Sequence, residues 1–372
     1  MLIRGGTSKG LYVAPEELPP AGDRRDRLLV ELFGTPDPLQ IDGLGGGNSH
    51  TSKVMLVEAS DRPEIDVEYT FGQIAVENPT VDWTGNCGNL TSGVGVYAIL
   101  NGLVEADAPE ANLRLYNTNT DTVIEQTVPV VDGEPAVRGD YAIDGVPGTG
   151  ARIDSYFRDP SGAVTGDLLP SGSLVDEVTV QGETYEVSLV DVANLNVFLR
   201  ASDLGLDGTE LPAAMDDPEL LERIELLRGA ACELLGLVED RRDAVDERAA
   251  IPQIALVSEP QSAECTTGDA VDAADVDVTS RIVTTQTPHH SYAMTGAMCL
   301  AAASQLPGTI PNEFVRDGDL TDVTIGHPKG RITVGVETTT TDGEPTVEHV
   351  RVGRTSRLLV DGDMFYRYVD DL

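Results

Sequence analysis

Apolar and polar positions alternate along most of this chain. Period-two runs cover IDVEYTFGQIAVE (65–77), ANLRLYNTNTDTVIEQTVPVV (111–131), DEVTVQGETYEVSLVDVANLNVFL (176–199) and RITVGVETTTT (331–341), broken by Asp-Gly, Gly-Gln and Gly-Glu pairs. This is the pattern of half-buried strands joined by tight turns. One segment, PELLERIELLRGAACELLGL (218–237), instead carries Leu220, Leu221, Ile224, Leu227 and Ala231 at helical spacing, which predicts an acidic surface helix with an apolar stripe. Two others, CGNLTSGVGVYAIL (87–100) and TGAMCLAAASQL (295–306), open on small or polar residues beside glycine and have no charged face. Such helices are buried on every side, and their glycines and alanines let strands approach closely. Each half of the chain thus has strands around one small-residue helix. The expected class is α+β with two similar domains, a weak two-fold repeat and no short-period solenoid. The richest Gly/Pro/Ser stretch, 145–173, marks the break between halves, and Arg152 within it is a candidate for lining an interdomain cleft.

Charge changes the picture next. The 372 residues include 63 acidic and 25 basic ones, a net charge of −38, and only three of the basic residues are lysine. The acids are spread over the whole chain and 40% of residues are hydrophobic, so a disordered acidic tail does not explain them. A blanket of carboxylates almost without lysine is the surface of a protein kept soluble in concentrated salt. No basic stripe exists to neutralise phosphates, so no nucleic-acid partner is expected. In such a solvent, with a Debye length of about 3 Å at 1 M, only local cations would act on an anionic ligand.

Length alone suggests two domains of about 150 residues or more. The four cysteines, Cys87, Cys232, Cys265 and Cys299, form no CxxC pair, so neither a disulfide scaffold nor a zinc site is expected. No apolar run approaches the ~20 residues of a membrane span and no secretion leader precedes RGGTSKG; a cytoplasmic protein is expected, without membrane contact. The abrupt opening also suggests a first strand lost before Met1.

Two of the three lysines follow a serine or stand directly after one, each near a glycine run: GGTSKG (5–10) and GLGGGNSHTSK (43–53). The first has Ser before Lys, where a phosphate loop needs Gly-Lys-Ser/Thr entering a helix. The second lacks the third glycine of a dinucleotide fingerprint and leads into the strand-like KVMLVE. What remains are two loops rich in backbone N–H groups and hydroxyls, a composition suited to carboxylates or simply to tight turns. Turns do not explain the lysines, because this chain uses arginine wherever a positive charge suffices. A lysine amine, once desolvated, can act as a base near neutral pH; arginine cannot. At the starts of the two buried helices, Cys87-Gly88-Asn89 and Thr295-Gly296 offer N–H groups to an anion, and Cys87 reads either as an activated thiol or as structural packing. Cys232 and Cys299 fall in apolar helix and read as packing.

RGGTSKG, DGLGGGNSHTSKV, CGNLTSGVGVYAI, PGTGA, TGDLLPSG, SLVDVAN, HHSYAMTGAMCLAAA, GHPKG and GRTSRLLVDGDMFY occur in that order over nearly the whole length. In these motifs the chain resembles the 2-methylaconitate cis-trans isomerase (PrpF) family. The resemblance implies a diaminopimelate-epimerase-like fold: two similar domains, each a β-barrel-like sheet wrapped round a central helix, with the active site between them. The domains would be 1–165 and 166–357, with a last strand at about 358–372 returning to the first. Family members shift double bonds or change alkene geometry in small di- and tricarboxylates without a cofactor. By resemblance, Lys53 is the proton-transfer residue, with Thr7 and Ser8 around it.

The sequence departs from the epimerases of this fold, which use two thiols: Cys87 matches the first, but Ala293 stands at the second position. Leu195 replaces the proline usual in the family after DVAN. The expected reaction is a 1,3-proton shift in which Lys53 takes a proton vinylogous to a carboxylate and Lys53, Cys87 or Ser8 returns one. Gly6, Thr7, Asn48, Ser49, Gly88, Asn89, His289, Thr295 and Gly296 are the expected substrate-binding residues, although a lone loop histidine such as His289 is more often a structural hydrogen-bonder. No metal and no cofactor are expected. The partner is a small anionic carboxylate, with a second copy of the chain as the only macromolecule admitted. Competing readings are an oxalomesaconate-type tautomerase, a thiol-dependent epimerase, and a tricarboxylate-binding protein without catalysis.

Overall fold

The strongest alternation becomes hairpin. The computed structural model describes residues 1–367 apart from 84, 108, 249–250, 317, 319 and 342–343. In it 111–131 forms the strands Glu110–Asn117 and Thr122–Val131, paired antiparallel from Glu110↔Pro129 to Asn117↔Thr122. Every second residue, including Leu113, Leu115, Ile124 and Val128, is buried, as a sheet with one covered face requires. The chain divides into two compact units, Met1–Tyr156 with the described residues from Gly353 onward, and Phe157–Val352.

In the first unit the strand Leu2–Gly5 lies between Ser8–Val13 and Ser356–Val360, antiparallel to both. Ser8–Val13 runs parallel to Lys53–Ala59, which pairs antiparallel with Val67–Ile74. Of the stretch 358–372, residues 368–372 lie outside those described. The helix Asp23–Phe33 packs Leu28, Leu29, Leu32 and Phe33 onto Leu11, Val13, Val54, Leu56 and Ile74, and stops at Gly34 in the left-handed conformation.

The single helix expected from Cys87 is interrupted. Gly88–Thr91 is one turn, and Val94–Leu100 follows after a break at Ser92 and Gly93. Competing hydrogen bonds cause the break. Tyr12 donates its hydroxyl to the Leu90 carbonyl, and Ser92 Oγ donates to the Asn89 carbonyl at 2.7 Å. A Cβ at position 93 would stand 2.4 Å from the Tyr12 hydroxyl, so glycine is required there. The second piece is buried from Val94 to Ile99, as its uniform apolarity predicts.

In the second unit Asp176–Val180, Glu183–Asp191 and Leu195–Arg200 form an antiparallel meander. Leu195–Arg200 then runs parallel to Gln253–Ser258, which pairs antiparallel with Val278–Thr284. The helix Met294–Ser304 begins one residue before the expected Thr295, and all its residues except Thr295 are buried. The expected surface helix is Pro218–Leu234, capped by Asp217. Only its first half is a surface helix: from Leu227 to Cys232 it is buried all round, Arg228 included. The reason is a covering segment, since a Cβ at Gly229 would lie 2.3 Å from the Arg241 carbonyl. No helix among the described residues is long and apolar enough to cross a membrane.

Candidate active site

The first glycine pair is explained by what lies on top of it. Gly5 and Ser8 close a two-residue hairpin turn whose first residue, Gly6, has φ of 51°, the position where a type II′ turn needs glycine. Asn89 sits over this turn. Its Nδ2 donates to Thr7 Oγ1 at 3.2 Å, and its Oδ1 accepts from Arg354 Nε at 3.1 Å. A Cβ on Gly6 would be 2.2 Å from Asn89 Oδ1, and one on Gly5 would be 2.6 Å from the Asn89 carbonyl. Gly6, Thr7 and Asn89, three of the expected binding residues, are therefore one clamped cluster. Arg4 fixes the turn from the other side, donating to the carbonyl and hydroxyl of Thr355 at 2.6 and 2.8 Å, while Gly6 N–H bonds to the same carbonyl. Ser8 opens the following strand and is 3% exposed.

Lys53 is the first residue of its strand and faces Gln73 across the sheet. It is 8% exposed. Its ammonium donates to Gln73 Oε1 at 2.5 Å and stands 5.0 Å from the centre of the Phe71 ring. Gln73 is held by its own Nε2, which donates to the carbonyls of Ser49, Ser52 and Ile74. Among the described residues no carboxylate lies within ion-pair distance of Lys53, although the chain has 63. Burial without a counter-charge is costly for a structural cation. The strand carrying Ser8 runs alongside, and a Cβ at Gly10 would stand 2.9 Å from the Lys53 carbonyl.

The second glycine run is not an open anion nest. It wraps Gln40, a buried side chain whose Oε1 accepts from Gly47 N–H at 3.0 Å and Ser52 Oγ at 2.6 Å. A Cβ at Gly45 would be 2.0 Å from that oxygen. Asn48 and Ser49 are exposed, and the Asn48 side chain braces its own loop through Gly46, His50 and Thr51. What this loop supplies is the carbonyl of Ser49 as an anchor for Gln73.

Cys87 is half-buried and immediately precedes the one-turn helix, whose Thr91 bonds back to the Cys87 carbonyl. Gly88 behind it is buried. Four residues carry little macrodipole, so the long-helix argument for an anion at Gly88 does not apply here. Cys232, Cys265 and Cys299 are buried. Burial pushes the thiols of Cys232 and Cys299 up, and Cys299 Sγ donates to the Val190 carbonyl at 3.2 Å, which leaves both as packing.

In the second unit Thr295 and Gly296 lie in the first turn of the buried helix. Gly296 is packed so that a Cβ would meet Ile282 at 2.4 Å and Gln253 Oε1 at 2.8 Å. His289 bonds through its backbone N–H to the Ile282 carbonyl, and its Nδ1 accepts from Ser291 N–H at 3.1 Å, a structural role for that nitrogen. Ala293 holds the N-cap position of this helix, where it supplies neither a cap nor a thiol. Arg152 stacks on Tyr141 and pairs with Asp154. Among the described residues no three His, Cys, Asp or Glu side chains are grouped to hold a metal ion.

Two residues of the first unit were missed from sequence, Gln73 and Arg354. Arg354 had a signal: Val350, Val352 and Arg354 are alternate, buried positions of one strand, so a cation stands where the pattern calls for an apolar side chain. Gln73 had none, because its partner comes from another strand.

The PrpF protein family matches residues 1–367. The 3-methylitaconate isomerase of Eubacterium barkeri is 39% identical, the alignment covering 100% of this chain and 96% of that protein. The 2-methyl-aconitate isomerase of Shewanella oneidensis is 36% identical over 97% of this chain and 94% of its own. A crystal structure of methylitaconate-delta-isomerase superposes with a TM-score of 0.84 at 38% identity, over 97% of this chain and 93% of that one. The α+β fold is the diaminopimelate-epimerase-like one.

Proposed function

The chain belongs to the PrpF family, and from that premise we propose a cofactor-independent isomerase that moves a double bond, or changes alkene geometry, in a small unsaturated di- or tricarboxylate of the 2-methylaconitate or methylitaconate type. The observation that carries the chemistry is Lys53: buried, bonded to the neutral Gln73, and lacking a carboxylate partner among the described residues of a strongly acidic chain. The neutral amine of Lys53 removes a proton from the allylic carbon, and the C–H electron pair enters a dienolate conjugated with a carboxylate. A proton returned to the far carbon from the Lys53 ammonium, or from the Cys87 thiol or Ser8 hydroxyl, completes the 1,3-shift with no net gain or loss of charge. Gly6, Thr7 and Asn89 are proposed to bind substrate; Asn48, Ser49, Gly88, His289, Thr295 and Gly296 are proposed on their sequence pattern alone, as hydrogen-bond donors to the charge that develops. The acidic surface supports a site of action in a concentrated-salt cytoplasm, and a homodimer belongs to the same proposal.

Lys53→Arg tests the mechanism. Arginine keeps the charge but, with a pKa above about 12, cannot accept a proton at working pH. General-base catalysis contributes about 10²- to 10⁴-fold, so turnover of methylitaconate or 2-methylaconitate in high salt should fall at least that far, with the far-UV circular dichroism unchanged. Near-normal turnover by the folded variant would assign the proton transfer to Cys87 instead.

A further inference from the structure

Arg354 is 7% exposed. Its Nε donates to Asn89 Oδ1 at 3.1 Å and its Nη1 to the Gly353 carbonyl at 2.9 Å, both neutral acceptors. Among the described residues no carboxylate lies within ion-pair distance of it. Contrast Arg228, similarly buried, whose guanidinium meets Glu225 at 2.5 Å and three backbone carbonyls. Two neutral hydrogen bonds leave donors of the five-donor Arg354 guanidinium unspent. Burial drives its pKa down to about 10, which is the signature of a cation short of a counter-charge. The side chain also lies against the hairpin turn, since a Cβ on Gly6 would be 3.1 Å from Arg354 Cδ. Asn89 joins it to Thr7, next to Ser8. Arg281 is likewise buried without a carboxylate among the described residues, but the carbonyls of Glu210, Ser280 and Gly326 accept from it; Arg354 instead lies against the turn that carries Thr7 and Ser8.

We propose that Arg354 is a specificity-determining residue that binds one carboxylate of the substrate through its guanidinium, held in position by Asn89. The inference rests on the reading of the substrate as a small polycarboxylate. It adds the receptor for one of those carboxylates, which the resemblance did not assign. Arginine suits the task because its planar fork matches a carboxylate, and the low exposure of the site keeps the pair from being screened by concentrated salt.

The test uses tricarballylate, a saturated tricarboxylate with no double bond to isomerise, titrated calorimetrically into full-length wild type, Arg354→Gln and the surface control Arg62→Gln in high salt. Loss of charge-assisted hydrogen bonds predicts binding about 10- to 100-fold weaker for Arg354→Gln. Arg62→Gln should bind as wild type. For turnover, KM should rise with the same factor while kcat falls less. A folded Arg354→Gln that binds tricarballylate within threefold of wild type would overturn the proposal. If that variant does not fold, a crystal structure of the wild-type chain with tricarballylate decides: a carboxylate on the Arg354 guanidinium supports the assignment, and one bound away from it refutes it. Absence of turnover of every unsaturated carboxylate by wild type would instead remove the isomerase reading, leaving the tricarballylate arms to judge Arg354.

Discussion

Gly6→Ala should cost the first unit far more than a methyl group normally does, and the cost should vanish in large part when Asn89 is also removed. An alanine at φ of 51° loses about 1–2 kcal/mol to the left-handed conformation. Its Cβ would be built 2.2 Å from Asn89 Oδ1, which must retreat to ordinary contact at 3.4 Å. That retreat breaks the bond to Thr7, about 1 kcal/mol, and the charge-assisted bond to Arg354, about 1.5–3 kcal/mol. The single variant should therefore lose about 3.5–6 kcal/mol. Asn89→Ala loses the two bonds without the strain, about 2.5–4 kcal/mol. In the Asn89→Ala background the second substitution should cost only the conformational 1–2 kcal/mol, a coupling of about 2.5–4 kcal/mol. The assay is urea denaturation at constant high salt, followed by the fluorescence of Trp83, the single tryptophan, which lies in this unit and donates to Asp26. Losses that add to within about 0.5 kcal/mol would show that Asn89 does not occupy the space over the turn, and the clamp described above would be wrong.

Native protein exposed to a thiol reagent should label at Cys87 well before Cys232, Cys265 or Cys299, because Cys87 alone is half-buried and the thiols of Cys232 and Cys299 are pushed up by burial. Peptide mapping reads the order, and equal rates at Cys299 would contradict the packing described for it. Exhaustive chelation should leave isomerase turnover unchanged. Loss restored by a divalent ion would count against the proton-shift mechanism.

Local, repeating features were legible in the sequence. Alternation located the strands Val67–Ile74, Glu110–Asn117 and Thr122–Val131, and uniform apolarity marked Met294–Ser304 as a buried helix. These depend on one segment meeting one kind of surroundings, so its own pattern carries the information. The scarcity of lysine singled out Lys53 for a similar reason: composition sets what is ordinary for this chain, and the exception stands out.

Tertiary structure decided the rest. The helix after Cys87 breaks because Tyr12, some eighty residues earlier, takes the Leu90 carbonyl. The glycines of 43–47 wrap Gln40 rather than an anion. Gln73 becomes the partner of Lys53 only through the pairing of two strands, and Arg354 reaches Asn89 across 265 residues of chain. Hydrogen bonding and exclusion act over a few ångströms in space without regard to distance along the chain. A residue's periodic position can therefore announce its strand or helix, but not which distant side chain will share its donor or fill the space above it.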